Sequence, residues 1–272
     1  MSRIKKRAGS SSPVKKYVSF AGGKGKVKFH DKEHKDADEK GNVYLDSIDF
    51  VVLDIKSSIS GFNEKASASI NSNLLDPYSV GKEEFVVKTK VDGKFDVFAQ
   101  GVYKEIKDEV IAIGGKFTTN IFALADLGDG QQIIRLELNG SGLSPWIEFT
   151  GKLENQDDLD DLIVTIGRGQ LCTRKKGKTV PVSDAEYKKI VAAIKKDPLA
   201  ERPVLFYEPA FQSESLPEDL AEQANEADEV LQKYFDESGT SKPEDIEVNG
   251  AEDVSPKPAP DTAEDDDDDL PF

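Results

Sequence analysis

From Asn42 to about Ala210 the chain repeats short apolar runs broken by Gly, Asn, Asp and Pro. Eight runs have strand length and are rich in β-branched and aromatic residues: Tyr44–Ser57, Ala66–Ile70, Glu84–Val91, Phe95–Ile106, Glu109–Phe122, Gln131–Leu138, Trp146–Leu153 and Asp161–Cys172. Turn signals such as Val91-Asp92-Gly93-Lys94 and Asn139-Gly140-Ser141-Gly142 separate them. Over 94–103 and 133–138 apolar side chains fall largely on alternate positions, the pattern of strands packed on one face and wetted on the other. Strands without helix–strand alternation predict a mainly β fold, an antiparallel barrel or sandwich.

Helical spacing appears twice. Ser183-Asp184-Ala185-Glu186 is a capping box ahead of Tyr187, Ile190, Val191 and Ile194, and Pro198 ends that pattern. Ser215-Leu216-Pro217-Glu218 repeats the signature ahead of Leu220, Ala224, Ala227, Val230, Leu231 and Phe235. The second helix, expected over 211–236, has a narrow apolar stripe and an acidic back. Residues 1–41 are almost free of large aliphatics and read as a flexible basic arm with room for one short strand, and 237–272 as a disordered acidic tail.

Charge sharpens this division. The net charge is −16, yet residues 1–210 carry 33 basic and 31 acidic side chains, whereas 211–272 carry 3 and 21. A near-neutral body, 42–210, therefore sits between a basic arm and an acidic tail. No run approaches the roughly 18–20 apolar residues of a membrane span, and the basic start precedes no apolar signal region. The expected location is cytoplasmic, with no membrane partner and a mature chain from Met1. A single cysteine, Cys172, excludes an internal disulfide and a Cys-rich zinc site, and reads as a small buried hydrophobe.

Enzymatic chemistry finds few candidates. His30-Asp31-Lys32-Glu33-His34 fits one zinc-protease spacing but lies in a charged run lacking the apolar face that would hold such a helix. Gly177-Lys178-Thr179 lacks the leading Gly of a phosphate loop, since Cys172 stands there. Asp157, Asp158, Asp160 and Asp161 read as a solvated turn. The sequence predicts no catalytic residue, no metal and no cofactor. What remains is basic and aromatic. Arg168, Arg174, Lys175, Lys176 and Lys178 occupy a strand–turn–strand, Ile163–Cys172 then Thr179–Val182, fit either to keep a sheet edge soluble or to track phosphates. Tyr103, Lys104, Lys116 and Phe117 join that candidate surface, and Trp146, at a loop-to-strand junction, is a candidate to stack on a base.

The chain closes on Asp265-Asp266-Asp267-Asp268-Asp269-Leu270-Pro271-Phe272. This ending resembles the acidic tip of bacterial single-stranded-DNA-binding proteins, Asp-Asp-Asp-Ile-Pro-Phe, with Leu270 in place of Ile. The resemblance covers about eight residues; the body does not visibly match the bacterial protein, so a divergent phage-type member is implied, acting in the host cytoplasm. It implies an OB-fold-like antiparallel barrel with an added β-hairpin and one or two short helices. It also implies sequence-independent binding of single-stranded DNA in replication, recombination or repair. Asp265–Phe272 would recruit partner enzymes of the polymerase, helicase, primase or nuclease class and compete with DNA for the groove. An acidic-tailed chaperone for basic proteins is the alternative from another class; a metal-dependent hydrolase using His30, Glu33 and His34 is a third.

Overall fold

The computed structural model describes residues 12–91, 94–153, 156–175, 178–196 and 203–238. The protein is mainly β. Twelve described strands form one mixed sheet: β1 (Lys16–Ala21), β2 (Lys26–His30), β3 (Asn42–Leu45), β4 (Ser47–Asn63), β5 (Ala68–Ser72), β6 (Phe85–Val91), β7 (Lys94–Gly101), β8 (Gly115–Asp126), β9 (Gln131–Asn139), β10 (Leu162–Lys175), β11 (Lys178–Pro181) and β12 (Leu205–Ser215). Four α-helices accompany them: α1 (Tyr103–Ala112), α2 (Leu143–Thr150), α3 (Asp184–Lys196) and α4 (Glu218–Ser238). The main path is β3-β2-β1-β9-β8-β4-β5-β6-β7; β10 pairs with β4, β11 and β12.

The spine is β4, 17 residues long. One edge pairs with β8; the other is shared by β10, along Ser47–Val51, and β5, along Ser60–Asn63. An irregularity in the β8 register between Val52 and Asp54 changes which residues face inward. Ile48, Phe50 and Val52 enter a first core before it, and Ile59 enters a second after it. Without that shift, alternation would turn one half of β4 to solvent.

The first core gathers Val18, Phe29, Ile121, Ile134, Leu136, Val164 and Ile166 from β1, β2, β8, β9 and β10. The second gathers Ile70, Phe85, Val87 and Phe117 beneath α1. At its edge the chain runs close: a Cβ on Gly61 would lie 2.2 Å from the Gly114 carbonyl oxygen, so only glycine fits at position 61.

Several sequence expectations change. Residues 16–30, expected within a flexible arm, form β1 and β2, and β1 pairs in parallel with β9 through Lys16↔Ile134 and Val18↔Leu136. The strand expected over Phe95–Ile106 stops at Gly101, and α1 follows because Tyr103, Ile106 and Val110 recur at helical spacing and are buried. The strand expected over Trp146–Leu153 is α2, with Pro145 in its first turn, where a missing amide hydrogen costs little. β12 lay outside the expected strands and crosses the expected boundary at 210/211; among the described strands it pairs only with β10, which tolerates Pro209.

The capping box at α3 forms, with Glu186 N donating to Ser183 Oγ at 3.3 Å and Ser183 N to Glu186 Oε2 at 3.1 Å. α4 lays Ala224, Leu231 and Phe235 on Val51, Leu124 and Phe122, outward residues of β4 and β8.

Candidate nucleic-acid interface

The inward positions fill the two cores, and the outward ones, followed through the register, form rows. One row is Val97, Lys88, Asn71, Ser60 and Lys116, across β7, β6, β5, β4 and β8. A second is Lys56, Asn120, Glu137, Ser19, Lys28 and Tyr44, across β4, β8, β9, β1, β2 and β3. At ~4.8 Å between strands the rows extend ~19 Å and ~24 Å.

Polar contacts fix the second row. Buried Asn120 donates from Nδ2 to Ser58 Oγ at 2.9 Å and accepts at Oδ1 from Arg135 Nε, also at 2.9 Å. Arg135 pairs with Glu137 at 3.1 Å and lies 5.6 Å from the ring of Tyr17, which is 59% exposed. Burial disfavours the charge on Lys56, but hydrogen bonds to Asp76 and Asp54 outweigh it and hold the ammonium above its ordinary pKa. Lys24 Nζ sits 3.4 Å above the Tyr44 ring.

Lys116 from the first row and Ser19 and Glu137 from the second line a cavity of about 230 Å³. Its other walls include Phe20, the β1–β2 turn at Gly22 and Gly23, the segment Leu138–Gly142, Arg174, and Val204–Phe206. Tyr207 N donates to the Gly22 carbonyl at 2.9 Å, seating the turn against β12. α2 starts at the cavity with Gly142 as N-cap and no capping side chain; Leu143 N donates to the Gly140 carbonyl and Pro145 has no amide hydrogen, so the turn before the helix already satisfies its first amide. Two cations and a glycine-lined wall, with Glu137 turned to Arg135, are chemistry that can accept a phosphate.

The residues singled out from sequence separate. Lys116 and Arg174 meet in the cavity. Arg168 lies 4.9 Å from the Tyr207 ring and donates to the Gly25 and Lys24 carbonyls at 3.4 Å, holding the β1–β2 turn. Lys175 and Lys178 are exposed and opposite each other in the β10–β11 hairpin, and Lys175 approaches Glu186 at 3.7 Å. Lys104 is exposed on α1. Three aromatic assignments are corrected, because their rings are core. Trp146, 3% exposed, packs on Phe149 and Phe211, with centroids 5.6 and 5.2 Å away. Tyr103 and Phe117 are buried with centroids 5.1 Å apart. Lys176 and the tip, Asp265, Asp266, Asp267, Asp268, Asp269, Leu270, Pro271 and Phe272, lie outside the described residues.

Tyr44 was one of many aromatics the sequence offered for stacking and Lys28 one cation of the basic arm; Tyr17, Lys56, Lys88 and Arg135 were missed. The available signal was polar residues at the outward positions of strands, as in Lys56-Ser57-Ser58-Ile59-Ser60. Compared with known protein families, characterised proteins and solved structures, the chain matches none.

Proposed function

We propose that the protein binds single-stranded DNA without sequence preference, through the outward sheet face and the cavity it leads into, and recruits replication or repair enzymes by its acidic tip. The observation that carries this reading is the registered rows, which set Lys28, Lys88 and Lys116 on the face where Tyr17 and Tyr44 also stand. Cations for the backbone and rings for bases are what sequence-tolerant single-strand binding uses. The curl of β1, β2, β4, β8, β9 and β10 around the first core supports reading this part as an OB-type barrel. The residues 265–272 support the recruiting role through their resemblance to the bacterial tip.

The test is anisotropy of labelled oligothymidine of roughly 30 nucleotides, titrated with the full chain against unlabelled duplex. The expected result is single-strand preference with a log–log salt slope of ~ −0.7 per phosphate neutralised. Lys116→Glu with Arg174→Glu should weaken binding at least about tenfold. Preference for duplex, or binding of basic proteins with no affinity for oligothymidine, overturns the reading.

A further inference from the structure

We propose a second base-stacking site on the β6–β7 hairpin, with Phe95 as the ring platform and Lys88 and Lys90 as the phosphate contacts beside it. Phe95 and Val97 are 48% and 43% exposed on a strand whose neighbours Phe85 and Val87 are fully buried. Register places Phe95 opposite Lys90 and Val97 opposite Lys88, so both apolar side chains share one face with two lysines. Their Cβ atoms are then about 5 Å apart, as directly opposed residues are. Exposed Asp96, between Phe95 and Val97, alternates to the other face and accepts from Val97 N at 2.7 Å, and Glu84 accepts from Gln100 Nε2 at 2.7 Å. A second copy packed on this face would bring like charges together, which costs free energy, whereas a polyanion is attracted to the exposed Lys90.

The site continues the first row. Lys88 and Val97 are the far end of the series through Asn71 and Ser60 to Lys116, so one extended strand lying along it would reach from the cavity to Phe95 over ~19 Å. This inference rests on the single-strand reading above and adds the ring that the buried Trp146, Tyr103 and Phe117 do not supply.

The experiment uses the full chain, labelled oligothymidine of roughly 30 nucleotides, and the variants Phe95→Ala, Phe95→Trp and Lys88→Ala with Lys90→Ala. Phe95→Ala should lose about tenfold in affinity with an unchanged thermal midpoint, since its ring is half exposed. Phe95→Trp should retain affinity and show tryptophan quenching on titration, with the buried Trp146 as a constant background. The double lysine variant should flatten the salt slope by about 1.4, two phosphates' worth. If the parent binds oligothymidine and Phe95→Ala binds equally well, this site is overturned while the general reading stands. If Phe95→Ala instead lowers the mass seen by light scattering and leaves affinity intact, the face is a contact between copies and the proposal fails. If the parent binds no oligothymidine, both fall.

Discussion

Cys172 lies fully buried on β10, its Sγ donating to Glu208 Oε2 at 3.4 Å. Burial, then the Glu208 charge, then the hydrogen bond to that carboxylate push the thiol up to about 12 from 9.0. The unfolded chain ionises this thiol near 9 while the folded one keeps it protonated to about 12, so its contribution to stability is complete below pH 9 and is lost as pH rises toward 12. Denaturant melts of the parent and Cys172→Ala across that range should converge as pH rises, and an aromatic disulfide reagent should label the folded parent only at the rate of unfolding. Trp146→Ala should cost ~3–5 kcal/mol in chemical denaturation. The parent's tryptophan emission should stay unchanged through an oligothymidine titration, because the ring is walled in by Phe149 and Phe211. At this scale the buried cysteine was legible, since a lone thiol in an apolar strand has few other fates. Which aromatics face outward was not: Phe117 and Phe122 look alike in sequence, yet they lie on opposite faces of β8.

Elements set by local chemistry were the readable ones. The capping box of α3 and the apolar spacing of α4 identify both helices from side chains within a few residues of each other. β1, α1, α2 and β12 were not readable, because their partners come from elsewhere in the chain: β1 closes on β9, and Trp146 of α2 on Phe211 of β12. α4 gains most of its stability from the face it covers. Leu231→Ala, fully buried against Phe122 and Leu53, should cost ~2–5 kcal/mol. Deleting residues 1–31 should do more than shorten an arm: it bares the edge of β9 and opens the core at Ile134 and Leu136, and circular dichroism should show no cooperative melt.

For the whole molecule, mainly β architecture was visible in the strand-length runs, whereas sheet order was hidden, since pairing of distant strands leaves no mark in local periodicity. Val14 packs against the cluster of Leu231 and Phe235, so the body's first residues and the end of α4 meet at one place. Truncation after Ser238 keeps α4 and removes only the acidic segment; oligothymidine affinity should rise, most at low salt, where screening is weakest. Removing Leu270–Phe272 alone should abolish capture of a partner enzyme and leave that affinity unchanged. The parallel β1–β9 pair also fixes an order of events during synthesis. Lys16 leaves the ribosome roughly 120 residues before its partner Ile134, a wait of ~6–24 s at ordinary elongation rates. Through that interval the β1–β2–β3 meander carries an open edge and an uncovered apolar face, so the pairing of β1 with β9 waits until about half of the protein has been made.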